Sequence, residues 1–269
     1  MGDSSDVPAL RRGLAVLRVL ASHAGPMTAV AVARELDLPR STTYHLLSEL
    51  EAAGFVVHLP AERRYGLGIA AFELGSAYLR HEPLERLAAP LLRRLVDQTG
   101  HNAHLGVLHG NESLYLLKER PAKPETLVTD VGVRLPAQLT ASGRAILANL
   151  PTPQVRALFP RASSFVRRTD RGPRNLVLLR ATLSAESQRG WAVEDGHVTP
   201  GFASVALPVF DHGDRPLAAI SVTFRHICLD EPRECGLTWP ELAEKVQETA
   251  NELTRQVGGR PSPPLPPRR

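Results

Sequence analysis

The run Arg40-Ser41-Thr42-Thr43-Tyr44-His45, with Ser48 just beyond it, concentrates polar chemistry on one short segment. Guanidinium, hydroxyl, phenol and imidazole groups so closely spaced are the donors and acceptors that reach phosphate oxygens and base edges in a DNA major groove. Helical spacing sorts the segment into two faces. Thr43, Leu46, Leu47, Leu50 and Ala53 recur at the interval of a buried stripe, which leaves Arg40, Ser41, Thr42, Tyr44, His45 and Ser48 as candidate DNA contacts. Further on, Arg63 and Arg64 stand side by side in LPAERRYGLG, between two short extended runs, where contact with phosphate is expected.

Catalytic chemistries fit the chain less well. It has no GxSxG elbow, no Walker loop and no dinucleotide fingerprint. His101, His104 and His109, with Glu194 and His197, are metal-ligating types, but His101 and His104 fall on opposite faces of an alternating strand. Ser204 and His197 can be drawn as nucleophile and base, yet no orienting third group or oxyanion device accompanies them. The expectation is no catalytic residue, no metal site and no cofactor. Cys228 and Cys235 are too few for a disulfide framework or a four-cysteine zinc site and read as reduced thiols.

The candidate DNA contacts need a frame, and the preceding sequence supplies one. Ala9–Ala21, with Pro8 before it and Leu10, Leu14, Leu17, Val19 and Leu20 in an apolar stripe, reads as a first helix. After the turn SHAGPM, Thr28 fits the N-cap of a second helix over Ala29–Leu36. Pro39 fits the first position of the third, Gly54 stops it, and Phe55-Val56-Val57 opens the hairpin whose far side carries Arg63 and Arg64. Residues 1–67 therefore read as a winged helix-turn-helix. Its charge balances: seven arginines (Arg11, Arg12, Arg18, Arg34, Arg40, Arg63, Arg64) face seven acids (Asp3, Asp6, Glu35, Asp37, Glu49, Glu51, Glu62). Placement, rather than the net charge of +4 and the isoelectric point near 9.4, is what favours nucleic acid.

Residues 68–82 read as a linker helix ending at His81-Glu82-Pro83, and 83–257 as an α+β domain. Leu84–Thr99 is amphipathic around Pro90, which either bends that helix or marks its start. HNAHLGVLHG, ESLYLLKER, Thr126–Val133, WAVED, FASVALPVFD and RPLAAISVTF read as strands. Helices are expected over Ser142–Leu150, Pro153–Phe159, Leu176–Gly190 and Trp239–Val257. Ser221 and Thr223, two apart, share a strand face. The closing GGRPSPPLPPRR, residues 258–269, reads as a disordered proline-rich tail despite its PxxP-like spacing. A hydrophobic share of 43% with no run of eighteen apolar residues, and a polar, acidic N-terminus, predict a cytoplasmic protein with no membrane partner.

Three stretches together resemble the IclR family of bacterial transcriptional regulators: LDLPRSTTYHLLSELEAAGFV with RRYGLG, VGVRLPAQLTASGRAILANLP, and RGWAVEDGHVTPGFASVALPVFDHGDRPLAAISVTF. The resemblance covers roughly residues 9–257. It implies a winged helix-turn-helix, a linker helix and a GAF-like effector-binding domain, in a homodimer or dimer of dimers on a double-stranded DNA operator. It further implies a small-molecule effector, an organic or aromatic acid among the candidates, and a repressor rather than an activator. The effector residues it implies are Gln138, Ala141, Ser142, Glu194, Ser204, Ser221 and Thr223, with Ala141 and Ser142 acting through helix-start amides that suit an anion. The alternative is a metabolite sensor without a DNA role, and the placement of Arg40, Arg63 and Arg64 speaks against it. Tyr44-His45 stands where the family commonly has His-Arg, Gln138 where it has His, Ser204 where it has Cys, and His197 where a further Glu follows the pair Glu194-Asp195.

Overall fold

The computed structural model describes residues 7–23, 25–81, 83–122, 129–226 and 239–266, and divides into two compact units, Met1–Glu82 and Pro83–Arg269. Cys228 and Cys235 lie outside the described residues.

In the first unit, α1 (Pro8–Ser22), α2 (Ala29–Glu35) and α3 (Arg40–Ala52) precede a hairpin of β1 (Val56–Leu59) and β2 (Arg64–Leu67), and α4 (Ile69–His81) follows. Val16, Val19, Leu20, Val32, Leu47, Val56 and Tyr65 form its core. Thr28 caps α2 by accepting from the Ala31 N–H at 3.2 Å. The hairpin is welded to the helices by Met27, which exchanges both backbone hydrogen bonds with Tyr65 at 2.9 and 2.7 Å. Pro39 is the N-cap of α3 rather than its first residue: its ψ of 141° is extended, and its carbonyl accepts the first helical bond from Thr43. At the other end Ala53 is an exposed C-cap, not part of the buried stripe. Gly54, at φ 74°, and Phe55 then close the helix with N–H bonds to the Glu51 and Leu50 carbonyls.

The second unit runs α5 (Pro83–Thr99), β3 (Asn102–His109), β4 (Glu112–Glu119), β5 (Arg134–Pro136), α6 (Ala141–Leu147), α7 (Thr152–Leu158), α8 (Leu176–Arg189), β6 (Ala192–Asp195), β7 (Phe202–Phe210), β8 (Pro216–Arg225) and α9 (Trp239–Gln256). Its strands form one six-stranded antiparallel sheet in the order β5-β4-β3-β8-β7-β6. Alternation gives the sheet two different faces. Leu105, Val205, Leu207, Ile220, Val222 and Phe224 point to one, where α5 and α9 cover them with Leu92, Leu95, Val246 and Leu253. The other face carries small residues, Ala192, Ala206 and Ala219, and α6 packs directly on them through Ala141, Ala145 and Ile146. Pro90 lies inside α5, which begins at Pro83 and not at this proline.

Two sequence expectations are corrected. Thr126–Val133 is not a strand where it is described, from residue 129: Val133 donates to the Asp130 carbonyl in a turn, Gly132 sits at φ 80°, and the strand starts only at Arg134. The expected disordered tail is also wrong over residues 258–266. That segment forms no helix or strand, but it lies against the domain, with Ser262 hydrogen-bonded to Asn251 and Leu265 packed on the main core cluster. Composition excludes regular structure from such a segment without excluding docking on a surface already folded.

A candidate DNA-reading face and a candidate effector cavity

On α3, Thr43 and Leu47 are fully buried and Leu46 and Leu50 partly so, which turns Arg40, Ser41, Tyr44, His45 and Ser48 outward. Thr42 is half-buried. The inward Thr43 donates its hydroxyl to the Pro39 carbonyl at 3.2 Å, so it belongs to the helix start rather than to the outer face. Arg63 occupies the tip of the hairpin at φ 51°, exposed and aimed by the tight turn Leu59–Arg63. Arg64 is exposed too, but one of its guanidinium nitrogens donates to the Pro26 carbonyl at 3.1 Å. That bond ties the wing to the loop ahead of α2 and leaves the remaining donors of the fork for another partner.

In the second unit, the register across the sheet sets a polar row opposite the apolar core. Glu194 pairs with Ser204, Ser204 with Thr223 and Thr223 with Asn102, on β6, β7, β8 and β3. The next row runs Ala206, Ser221, His104 and Lys118. Between these rows and α6 lies a cavity of about 30 Å³. Ala141 and Ser142 line it from α6, Glu194, Ser204 and Thr223 from the sheet, and Tyr115, Thr129, Leu135, Thr140, Val198, Thr199 and Phe202 complete the wall.

The polar groups of this wall are tied together. The Ser204 hydroxyl lies 2.9 Å from that of Thr223 and 3.3 Å from Glu194 Oε2, to which it donates. Glu194 Oε1 accepts backbone N–H groups from His197 and Val198 at 2.7 and 3.0 Å. Burial raises the Glu194 pKa, while these bonds and the Arg144 charge pull it back. Burial likewise pushes the Tyr115 phenol upward, against its hydrogen bond with Ser142. His104, fully buried with Nε2 2.9 Å from the Thr129 hydroxyl, is lowered to about 3 by burial and then by Lys118. It is neutral at neutral pH.

Arg144 holds the two sides of the cavity in register. Fully buried on α6, it donates from Nε to Glu186 at 2.9 Å and from one terminal nitrogen to the Gln138 carbonyl at 2.9 Å, and the other terminal nitrogen bonds the Val193 carbonyl on β6. It also stands 3.3 Å from His197 Nδ1, and burial together with this charge lowers the His197 pKa to about 4. Such a buried pair persists because the guanidinium's donors find acceptors at fixed positions.

Five of the seven effector residues expected from the resemblance thus come together. Gln138 and Ser221 stand outside the wall: Gln138 Nε2 donates to the Val166 carbonyl at 3.0 Å, and Ser221 accepts from Ser142 at 3.0 Å, holding that side chain in place. Sequence reading missed Tyr115, Thr129 and Thr140. Thr140 was legible as a helix cap, and it accepts from the Gly143 N–H at 3.0 Å. The histidines do not assemble: His104 packs beside Tyr115, and His101 beside Phe224 on the opposite face. Among the described residues no group of three or more His, Cys, Asp or Glu is placed to hold a metal ion, and no helix is long and apolar enough to cross a membrane.

Comparison with known proteins assigns both units. Residues 76–255 match the family model described as the C-terminal domain of the bacterial transcriptional regulator IclR, and residues 9–60 match the IclR helix-turn-helix domain. The Pca regulon regulatory protein of Pseudomonas putida is 32% identical over 227 residues, covering 82% of this chain and 76% of that protein. The transcriptional repressor IclR of Escherichia coli (strain K12) is 28% identical over 262 residues, covering 95% of this chain and 92% of that protein. Among solved structures, an IclR homolog from Microbacterium hydrocarbonoxydans complexed with 4-hydroxybenzoate shares the fold, with a TM-score of 0.76 at 22% identity over 93% of this chain and 98% of that one.

Proposed function

The chain belongs to the IclR family of bacterial transcriptional regulators, and from that premise we propose a cytoplasmic repressor that binds its operator as a homodimer or dimer of dimers and is released by an organic acid. Operator contact is assigned to Arg40, Ser41, Thr42, Tyr44, His45 and Ser48 on α3, with Arg63 and Arg64 on phosphate. Assembly is supported by apolar side chains left exposed on the same unit, Val7, Leu10 and Leu14 at α1 and Ile69, Phe72 and Leu74 on α4, which a second copy would cover. Two recognition helices spaced about one helical turn multiply the specificity that one short helix can supply.

The observation that carries the effector reading is the cavity between α6 and the polar rows of the sheet. At about 30 Å³ it has room for water-sized contents only. A ring-sized ligand therefore needs this lining to open further, so on this reading binding is coupled to a change of shape. A ligand that favours the parted form over the closed one shifts the population between them, and operator affinity follows if the two forms hold the reading heads differently. The acid's carboxylate is assigned to the backbone amides of Ala141 and Ser142, with Ser204 and Thr223 as hydroxyl partners and Glu194 closing the far end; Gln138 and Ser221 serve as supports behind the wall.

The test is fluorescence anisotropy of the full-length protein with labelled DNA flanking its own coding sequence, across a salt series, with and without 4-hydroxybenzoate. The expected result is a salt-sensitive specific complex that the acid weakens. Absence of any specific complex would overturn the operator assignment. A specific complex that 4-hydroxybenzoate leaves unchanged would remove aromatic acids of that size from the proposed effectors.

A further inference from the structure

The segment Gly259–Pro266 lies beyond α9 and beyond the residues that match the family, yet it is held by specific contacts. It begins with a close approach. The Gly259 N–H donates to the Thr254 carbonyl at 2.8 Å, and a Cβ at Gly259 would stand 2.2 Å from the Phe210 carbonyl oxygen, so only glycine lets the chain turn back across the end of β7. Two side-chain amides one turn apart on α9 then read its backbone. Asn251 accepts from the Ser262 N–H at 2.8 Å and donates to the Ser262 carbonyl at 3.2 Å, and Gln247 donates to the Pro263 carbonyl at 2.8 Å. Leu265 is the anchor. It packs on the main core cluster, as Trp191 does, and at Gly190 an added Cβ would meet it at 3.1 Å.

Amide side chains that grip a main chain, together with a seat for one apolar residue, are the means by which domains bind extended peptides. Prolines suit the occupant, because their fixed φ lessens the entropy lost on docking. About 280 Å³ of space remains between the segment and the groove lined by Trp191, Pro208 and Phe210. The segment is therefore attached at defined points rather than packed throughout, as a replaceable ligand is. We propose that the α8–β6 turn, β7 and α9 form a receptor groove for a proline-rich peptide, that the chain's own Gly259–Pro266 is its resident occupant, and that the same sequence supplied in trans can replace it.

The experiment uses the full chain carrying Leu265→Asp, which removes the anchor, and a synthetic peptide of residues 258–269. Thermal unfolding and tryptophan emission are followed as peptide is added. The variant is expected to melt a few degrees below the wild type, and the peptide should restore both signals saturably. The wild type, whose groove is filled, should bind the peptide at least ten-fold more weakly, and the same peptide carrying L265D should not bind. Leu265→Ala, which shortens the anchor without adding charge, provides the same test if Leu265→Asp does not fold. A variant indistinguishable from wild type, or a destabilised one that the peptide fails to rescue, would overturn the proposal.

Discussion

Acid should unfold the effector unit well before ordinary carboxylate chemistry requires it, because two histidines there, His104 buried and His197 half-buried, are held neutral. His104 titrates near 3 and His197 near 4 in the folded chain, both lowered first by burial, against about 6.5 for an unfolded histidine. Between these values the unfolded state binds more protons than the folded one. Stability is thus fully present above about pH 6.5 and falls as the pH drops. Each histidine loses up to about 1.4 kcal/mol per pH unit; because the slope is only partial near each pKa, the loss between pH 6.5 and 4 is about 2.5–3 kcal/mol apiece and about 5–6 kcal/mol for the pair. Glu194 works in the opposite sense. Its raised pKa lets the folded state take a proton first, adding some stability as the pH falls toward the ordinary glutamate range. The histidine loss is comparable to the whole stability of a typical domain, about 5–15 kcal/mol. Both tryptophans, Trp191 and Trp239, lie in the second unit, so urea unfolding followed by tryptophan emission from pH 7.5 to 4.5 reports on it selectively. His104→Gln should lose about half of the acid slope while retaining a group able to bond Thr129. A variant with the wild-type slope would refute the assignment of His104 as a buried neutral imidazole.

Two further outcomes bear on the surfaces assigned to DNA and effector. Arg63→Ala should weaken binding to all DNA sequences alike and reduce the slope of log affinity against log salt by about 0.9, read by anisotropy between 50 and 200 mM salt; an unchanged slope would remove Arg63 from the phosphate contacts. Ser204→Val, which removes the hydroxyl between Glu194 and Thr223, should raise the effector concentration needed to release DNA several-fold while leaving effector-free operator affinity unchanged. Loss of DNA binding itself would mean that Ser204 supports the fold rather than the ligand.

The legible parts of this chain were those that local rules determine. The buried stripe Thr43-Leu46-Leu47-Leu50 and the outward Tyr44 and His45 follow from helical period, and the strands around Asn102–His109 and Phe202–Phe210 from alternation and turn residues. What escaped depends on register or on surfaces made elsewhere. That Ser221 and Thr223 share a face was readable, but that Thr223 meets Ser204 while Ser221 serves Ser142 follows only from how β7, β8 and α6 align. Tyr115 and Thr129 reach the cavity from β4 and the loop after it, a proximity no spacing encodes. The tail was misread because its composition describes an isolated peptide, whereas Asn251, Gln247 and Gly190 give it somewhere to bind.

The polarity of the cavity also constrains how an acidic effector would lie in it. Glu194 already has both oxygens engaged, Oε1 by two backbone N–H groups and Oε2 by Ser204, so it offers an incoming carboxylate no donor and repels it when ionised. Donors of the right sign stand at the opposite wall, where the Gly143 and Arg144 amides that begin α6 are bonded to Thr140 and those of Ala141 and Ser142 precede them at the positive end of the helix. An acid would therefore enter with its carboxylate toward Ala141 and Ser142. Its far end would meet Ser204, Thr223 and Glu194, a hydroxyl and carboxylate cluster that accepts a hydrogen bond more readily than it offers one. A ligand with a hydroxyl opposite its carboxylate satisfies both ends at once, whereas an unsubstituted acid of equal length would leave Glu194 buried against apolar surface. On the proposed reading, discrimination between those two ligands resides in Glu194, and Glu194→Gln, which adds a donor and removes the charge, should narrow the difference between them.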